Sequence, residues 1–169
     1  GRVGEVVVGR VYDLDTTTGA LAPSPPSGDE TQPPRPPPNI VRVHVLDAHH
    51  CPGAAMFVFE SAAETVLHTG DFRLHEATIG SIGPGGATEA WKPAHDALQR
   101  WAGRIDRLFL DNTFCHPRYE FPDQQAAVDL AAARVRSRVN GVAPRPRSVA
   151  ILCGTYTIGK EKFVAGLRD

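Results

Sequence analysis

The sequence has little cysteine. Its three residues, Cys51, Cys115 and Cys153, are odd in number, far apart, and form no C-x-x-C pair. That excludes a disulfide framework and a self-contained cysteine-rich zinc module, and a reducing compartment is the simpler expectation. Long apolar runs are also missing. None approaches the ~20 residues that span a bilayer, so no membrane partner is expected. No basic segment leading into an apolar stretch opens the chain, and no secretory signal is visible. The sequence starts at Gly1 rather than Met, as a fragment or a processed piece would. Net charge is nearly absent, at -1.

What is present is a chain of 169 residues, 41% hydrophobic and 22% charged, enough for one domain with a sizeable core. The charge is uneven. Residues 100–169 carry twelve Lys/Arg against seven Asp/Glu, a net +5, with Arg134, Arg136, Arg138, Arg145 and Arg147 close together. Such a cluster suits a polyanion; a solvated helix face is the plainer alternative.

"EVVVGRVY" (5–12) predicts a short strand interrupted by a glycine. Residues 23–38 hold eight of the 15 prolines and little apolar content, so a disordered insertion is expected there. "IVRVHVL" (40–46) alternates and is β-branched, the mark of a strand. "AAMFVFE" (54–60) and "TVLHTG" (65–70) predict two more. The glycine-rich 80–88 predicts a loop, and 94–104 a helix after Pro93, with Ala94, Leu98 and Trp101 on one stripe. "RLFLD" (107–111) reads as a buried strand. Residues 121–139 predict a helix that Pro122 would start, with Val128, Ala132, Val135 and Val139 on one face. "SVAILCG" (148–154) reads as another buried strand, and residues from Ile158 begin a helix. Strands first, then strands alternating with helices, predict an α/β layered sandwich.

The polar candidates follow strand ends, where ligand sites of α/β sheets lie. They are His50, Asp71, Asp111, and Thr155 with Tyr156. Neighbouring residues of an extended segment point to opposite sides, so His49 and His50 are not expected to share a metal. An imidazole is a common zinc ligand, although a lone histidine is more often structural. Asp71 in "HTGDFR" suits one metal or a bridge between two; hydrogen bonding to its own turn is the alternative. His68 and Arg73 are placed to support that loop. Asp111 reads as an acid/base or supporting group, or as a cap for the turn at Asn112 and Thr113. "CGTYTIGKE" offers hydroxyls, Lys160 and helix-start N–H groups to a phosphate, but lacks the P-loop pattern. Capping by Thr157 is the alternative there.

Taken together, "LDAHHCPGAAMF", "VLHTGDFR", "LDNTFCHPRYEFPDQQ" and "CGTYTIGKEK" closely resemble the DNA cross-link repair nucleases of the metallo-β-lactamase/β-CASP superfamily, in particular the exonuclease subgroup. The match runs from about residue 40 onward. The family wording D-A-N-H-C-P-G-[AS] places His50 at a metal-binding histidine and puts His49 where asparagine is usual. Asp71 falls at the metal-bridging aspartate. Asp111 falls at the acidic residue of the first β-CASP motif, where aspartate resembles the DNA-processing branch and glutamate the RNA-cleaving one.

The fold implied by the resemblance is a partial metallo-β-lactamase αββα sandwich running into the start of a β-CASP domain. Residues 1–39 would be a strand plus insertion, 40–115 the metallo-β-lactamase-like segment, and 116–169 the start of the β-CASP-like region. The function implied is a nuclear, zinc-dependent DNA nuclease, a 5′-to-3′ exonuclease of cross-link repair. One or two divalent metals would be held by His50 and Asp71, and Asp71 and Asp111 would be catalytic. Damaged or 5′-phosphorylated DNA would contact Thr155, Tyr156, Lys160, Arg134 and Arg138, and repair proteins are further expected partners. The family's principal metal motif, H-x-H-x-D-H, does not occur in this sequence. The chain is therefore expected to be an internal fragment or a truncated paralogue, inactive alone, since zinc sites normally need three or four ligands. An inactive DNA- or partner-binding scaffold and an RNA-processing nuclease are the alternatives.

Overall fold

The computed structural model describes residues 5–25, 34–73, 96, 98–141 and 150–167. The chain forms two compact units, Gly1–Asp111 and Asn112–Asp169.

The first unit is a six-stranded sheet. Its strands are β1 (Val11–Asp15), β2 (Leu21–Pro23), β3 (Ile40–Asp47), β4 (Ala55–Glu60), β5 (Thr65–His68) and β6 (Arg107–Phe109). The order is β2-β1-β3-β4-β5-β6. Every pair is antiparallel except β5 with β6, which run parallel. The three strands expected between residues 40 and 70 are all present.

The start of the chain differs from expectation. The strand begins at Val11, because Gly9 takes a positive φ of 84° and turns the backbone before it. The β1–β2 hairpin was not expected, although its turn chemistry stands in "DTTTG". The Asp15 carboxylate accepts from Thr17 N at 2.7 Å and Thr18 N at 3.1 Å, and Gly19 supplies the left-handed residue at φ 70°. Pro23 therefore lies in a strand, at the sheet edge where a missing N–H is tolerated. The far end of the proline-rich insertion is ordered rather than disordered: Pro36 is buried, Arg35 donates to Ser61 O at 3.3 Å and pairs with Asp106 at 3.7 Å, and Ile40 N bonds Pro37 O at 2.9 Å. Residues 26–33 of the insertion lie outside the described residues, as do the glycine-rich 80–88 and the start of the helix expected at 94–104.

The pleat sorts the apolar residues onto two faces. On one, Leu46, Ala48, Met56, Val58 and Leu67 are covered by Trp101 with Leu98 and Ile105. On the other, Tyr12, Val43 and Val45 pack with Leu14, Val41, Phe57 and Phe59. The first face also buries polar groups. Glu60 is completely buried, with Arg104 Nη2 at 3.4 Å and His44 Nε2 at 3.7 Å. The His44 ring meets Trp101 edge-on at 4.8 Å. Burial, and then the charges of Arg42 and Arg100, push His44 down to about 4, so it is neutral at neutral pH. Burial raises Glu60, against the pull of Arg104, Arg42 and Arg35. Because His44 is neutral, its contact with Glu60 is not a buried salt bridge.

Two expected buried strands are corrected. Residues 107–109 do form β6, but all three are exposed, and Leu108 and Phe109 each retain 53% of their surface. The cause is position: β6 pairs only with β5, and nothing described covers its other side. Residues 150–154 form no strand and are exposed. An apolar run becomes a buried strand only when neighbours take up its backbone groups, and none is described beside this one.

In the second unit, α1 (Gln124–Asn140) starts after Asp123, whose carboxylate accepts from Ala126 N at 2.7 Å. Pro122 thus precedes the cap rather than opening the helix. Val128 and Ala132 are buried, and Val135 and Val139 half-buried, along the expected face. The final helix, α2 (Glu161–Gly166), packs against α1. No described helix is long and apolar enough to cross a membrane.

Candidate functional site

The site begins with the turn that leaves β3. The Asp47 carboxylate accepts from His49 N at 2.7 Å, closing an Asx turn. His49 is held at a positive φ of 51°, and is the sole non-glycine residue so held among those described. Asparagine, whose short polar side chain can bond its own backbone, visits this left-handed geometry readily, and histidine is among the few other residues enriched there. Gly53, at φ 84°, completes the return to β4, and Ala48 N bonds Ala54 O at 3.1 Å. The loop thereby projects His50 beyond the end of the central strands β3 and β4, 40% exposed.

The second component leaves β5. His68 Nδ1 accepts from Gly70 N at 3.1 Å, and its ring stacks on Phe109. Gly70 takes φ 53° and passes close to Ala55 O, so the chain turns back under the first loop. Arg73 N then bonds Ala48 O at 3.0 Å. Arg73 therefore acts through its backbone; among the described residues its side chain shows no orienting contact with Asp71. The outcome is that His50 Nε2 and Asp71 Oδ2 stand 4.0 Å apart, on loops separated by twenty residues of sequence.

Asp111 is tied to this site by a residue that sequence reasoning missed. Thr69 is nearly buried. Its N–H donates to Phe109 O at 3.0 Å, and its hydroxyl donates to Gly70 O at 2.9 Å while accepting from Asp111 N at 3.0 Å. One threonine thus links the turn carrying Asp71 to the end of β6 carrying Asp111. The available signal was a hydroxyl residue directly before Gly-Asp at a strand end.

An imidazole and a carboxylate so placed suit a divalent metal. Zn–N and Zn–O bonds of about 2.1 Å at a tetrahedral angle would set the donor atoms about 3.4 Å apart. The observed 4.0 Å needs only small rotations of two exposed side chains. No group of three or more His, Cys, Asp or Glu poised for a metal occurs among the described residues. The pair is an incomplete donor set.

The remaining candidates lie in the second unit. Thr155 and Tyr156 are exposed on an irregular segment, with Lys160 Nζ 5.8 Å from the Tyr156 ring centroid. One N–H of the expected phosphate cradle at the helix start is already occupied. The Glu161 carboxylate accepts from Gly159 N at 2.9 and 3.1 Å. Thr157 does not cap either; the cap position falls to Lys160, with no side-chain bond. Arg134, Arg136 and Arg138 are exposed on α1, and none makes an ion pair among the described residues. Arg145 and Arg147 lie outside those residues.

Comparison with known proteins decides the kinship. The DNA cross-link repair 1A protein of Mus musculus is 38% identical over 131 residues, covering 76% of this chain and 11% of the mouse protein. The 5′ exonuclease Apollo of Gallus gallus is 38% identical over 128 residues, covering 75% of this chain and 22% of Apollo. Over that span the chain is a homologue of the DNA cross-link repair proteins. The DNA cross-link repair protein pso2/snm1 of Schizosaccharomyces pombe, 34% identical over 131 residues, agrees. The chain spans less than a quarter of the length of these relatives. No family model matches the sequence.

Proposed function

We propose that the protein carrying this chain is a metal-dependent DNA nuclease of cross-link repair, a 5′ exonuclease working on nuclear DNA, built on the metallo-β-lactamase/β-CASP plan. The approach of His50 Nε2 to within 4.0 Å of Asp71 Oδ2 carries the proposal. Kinship with proteins named for cross-link repair and 5′ exonuclease activity supports it. His50 would hold a metal through its imidazole, and Asp71 would hold or bridge metals through its carboxylate. Zinc suits a nitrogen and oxygen donor pair, and when bound supplies an activated water and neutralises phosphate charge. Asp111, tethered through Thr69, would assist proton movement or orient a ligand. Thr155, Tyr156, Lys160 and the α1 arginines Arg134 and Arg138 would hold the DNA backbone.

The test is cleavage of 5′-phosphorylated DNA by the full-length protein, with and without chelator. Chelator and the His50→Ala, Asp71→Ala double substitution should each abolish cleavage. Undiminished cleavage by the double variant would sink the metal assignment. DNA binding without cleavage by the metal-loaded protein would mark a scaffold instead, and preference for RNA an RNA-processing nuclease.

A further inference from the structure

Just after Asp111 along the chain stands a feature that the nuclease reading does not use. Residues 112–121 fold into two successive turns, closed by Cys115 N to Asn112 O at 3.1 Å and by Tyr119 N to His116 O at 3.0 Å. Arg118 N also donates to His116 Nδ1 at 3.1 Å. The turns gather three aromatic rings outside any core. Phe114 lies edge-on to Tyr119 at 5.3 Å and to Phe121 at 5.2 Å, while Tyr119 and Phe121 are nearly parallel, 8° apart in plane, at 6.1 Å. Their exposures are 62%, 36% and 64%. The Arg118 guanidinium sits 4.7 Å from the Tyr119 ring centroid and donates to its hydroxyl.

We propose that Phe114, Tyr119 and Phe121, with Arg118, form a stacking platform for the bases of single-stranded DNA. The inference rests on the reading of the protein as DNA-processing. Three features favour nucleic acid over another protein segment. The rings show π-faces and edges rather than a continuous aliphatic groove, and any base can stack on them. A guanidinium flanks them, where it can meet a base or a phosphate. Residues 112–169 carry nine Lys/Arg against five Asp/Glu, a net +4 that draws a polyanion even with Glu120 inside the motif. The turns run directly into Asp123, the cap of α1, so the platform is anchored at the start of a helix.

The experiment keeps the protein dilute and titrates DNA. Phe121→Trp places an indole on the platform, and an oligothymidylate is added in the presence of chelator. Saturable quenching of the new emission is expected, because stacking on a base quenches indole. Phe114→Leu or Tyr119→Leu in that background keeps apolar bulk but removes a ring, and should weaken binding about tenfold. Tyr119→Phe should bind normally. An abasic oligomer of equal charge should fail to quench. Absence of quenching, equal response to the abasic oligomer, or full tolerance of leucine would overturn the proposal, the last pointing to an apolar protein contact. If a leucine variant does not fold, the abasic comparison in the reporter protein still decides. Because metal is absent throughout, the result is independent of whether His50 and Asp71 support cleavage.

Discussion

His49 shows how one residue can be chemically prominent and structurally constrained at once. It neighbours the candidate metal ligand, yet its backbone is left-handed at φ 51°. A β-carbon in that region costs roughly 1–2 kcal/mol, and asparagine relieves part of it. His49→Asn should therefore raise stability by up to about 1 kcal/mol, measured by denaturant melting. His44 makes a different prediction. Its folded-state value of about 4 lies below the ordinary 6.5, so the unfolded chain binds the proton more readily. Its contribution is intact above pH 6.5 and is lost as pH falls toward 4, by up to about 3 kcal/mol. Glu60, raised by burial, works in the opposite sense. His44→Leu should flatten the acid side of the stability profile, and a profile unchanged between pH 6.5 and 4 would refute the assignment.

At the scale of elements, the site depends on how strand ends are joined. β3 and β4 deliver His50, β5 delivers Asp71, and β6 delivers Asp111. Thr69 is the joint between the last two. Thr69→Val keeps the volume but removes the hydroxyl that accepts from Asp111 N, at a cost of about 1 kcal/mol. Faster hydrogen exchange at Asp111 N than in the parent protein is the expected signature. The strands between residues 40 and 68 and helix α1 were legible in the sequence, because period-2 and period-3.6 patterns are local properties. The β1–β2 hairpin was also written there, in Asp-Thr and glycine turn chemistry, but its strands are too short to show periodicity. The exposed state of β6 and of residues 150–154 was not legible. Burial depends on what packs against a segment, and an apolar run does not carry that information.

For the whole molecule, the surface is the issue. Leu108, Phe109 and Leu110 of the first unit are exposed, as are Leu130, Ile151 and Leu152 of the second, with Leu152 97% open. Apolar surface on this scale drives association. The isolated chain should therefore self-associate with rising concentration in sedimentation experiments, and a monodisperse species across that range would contradict this. Exposed Arg134 and Arg138 should give the full-length protein salt-dependent DNA affinity, with a shallower slope after changing both to serine. An unchanged slope would remove them from the interface.

The sequence by itself determined the central strands, helix α1 and the order of the motifs, because these are properties of residues close along the chain. The tertiary structure decided which candidates meet. It set His50 beside Asp71, tied Arg73 N to Ala48 O and placed Glu161 on one of the N–H groups expected to hold a phosphate. It also buried His44 with Glu60. Each outcome joins groups through folded backbone, and only the folded chain sets those distances.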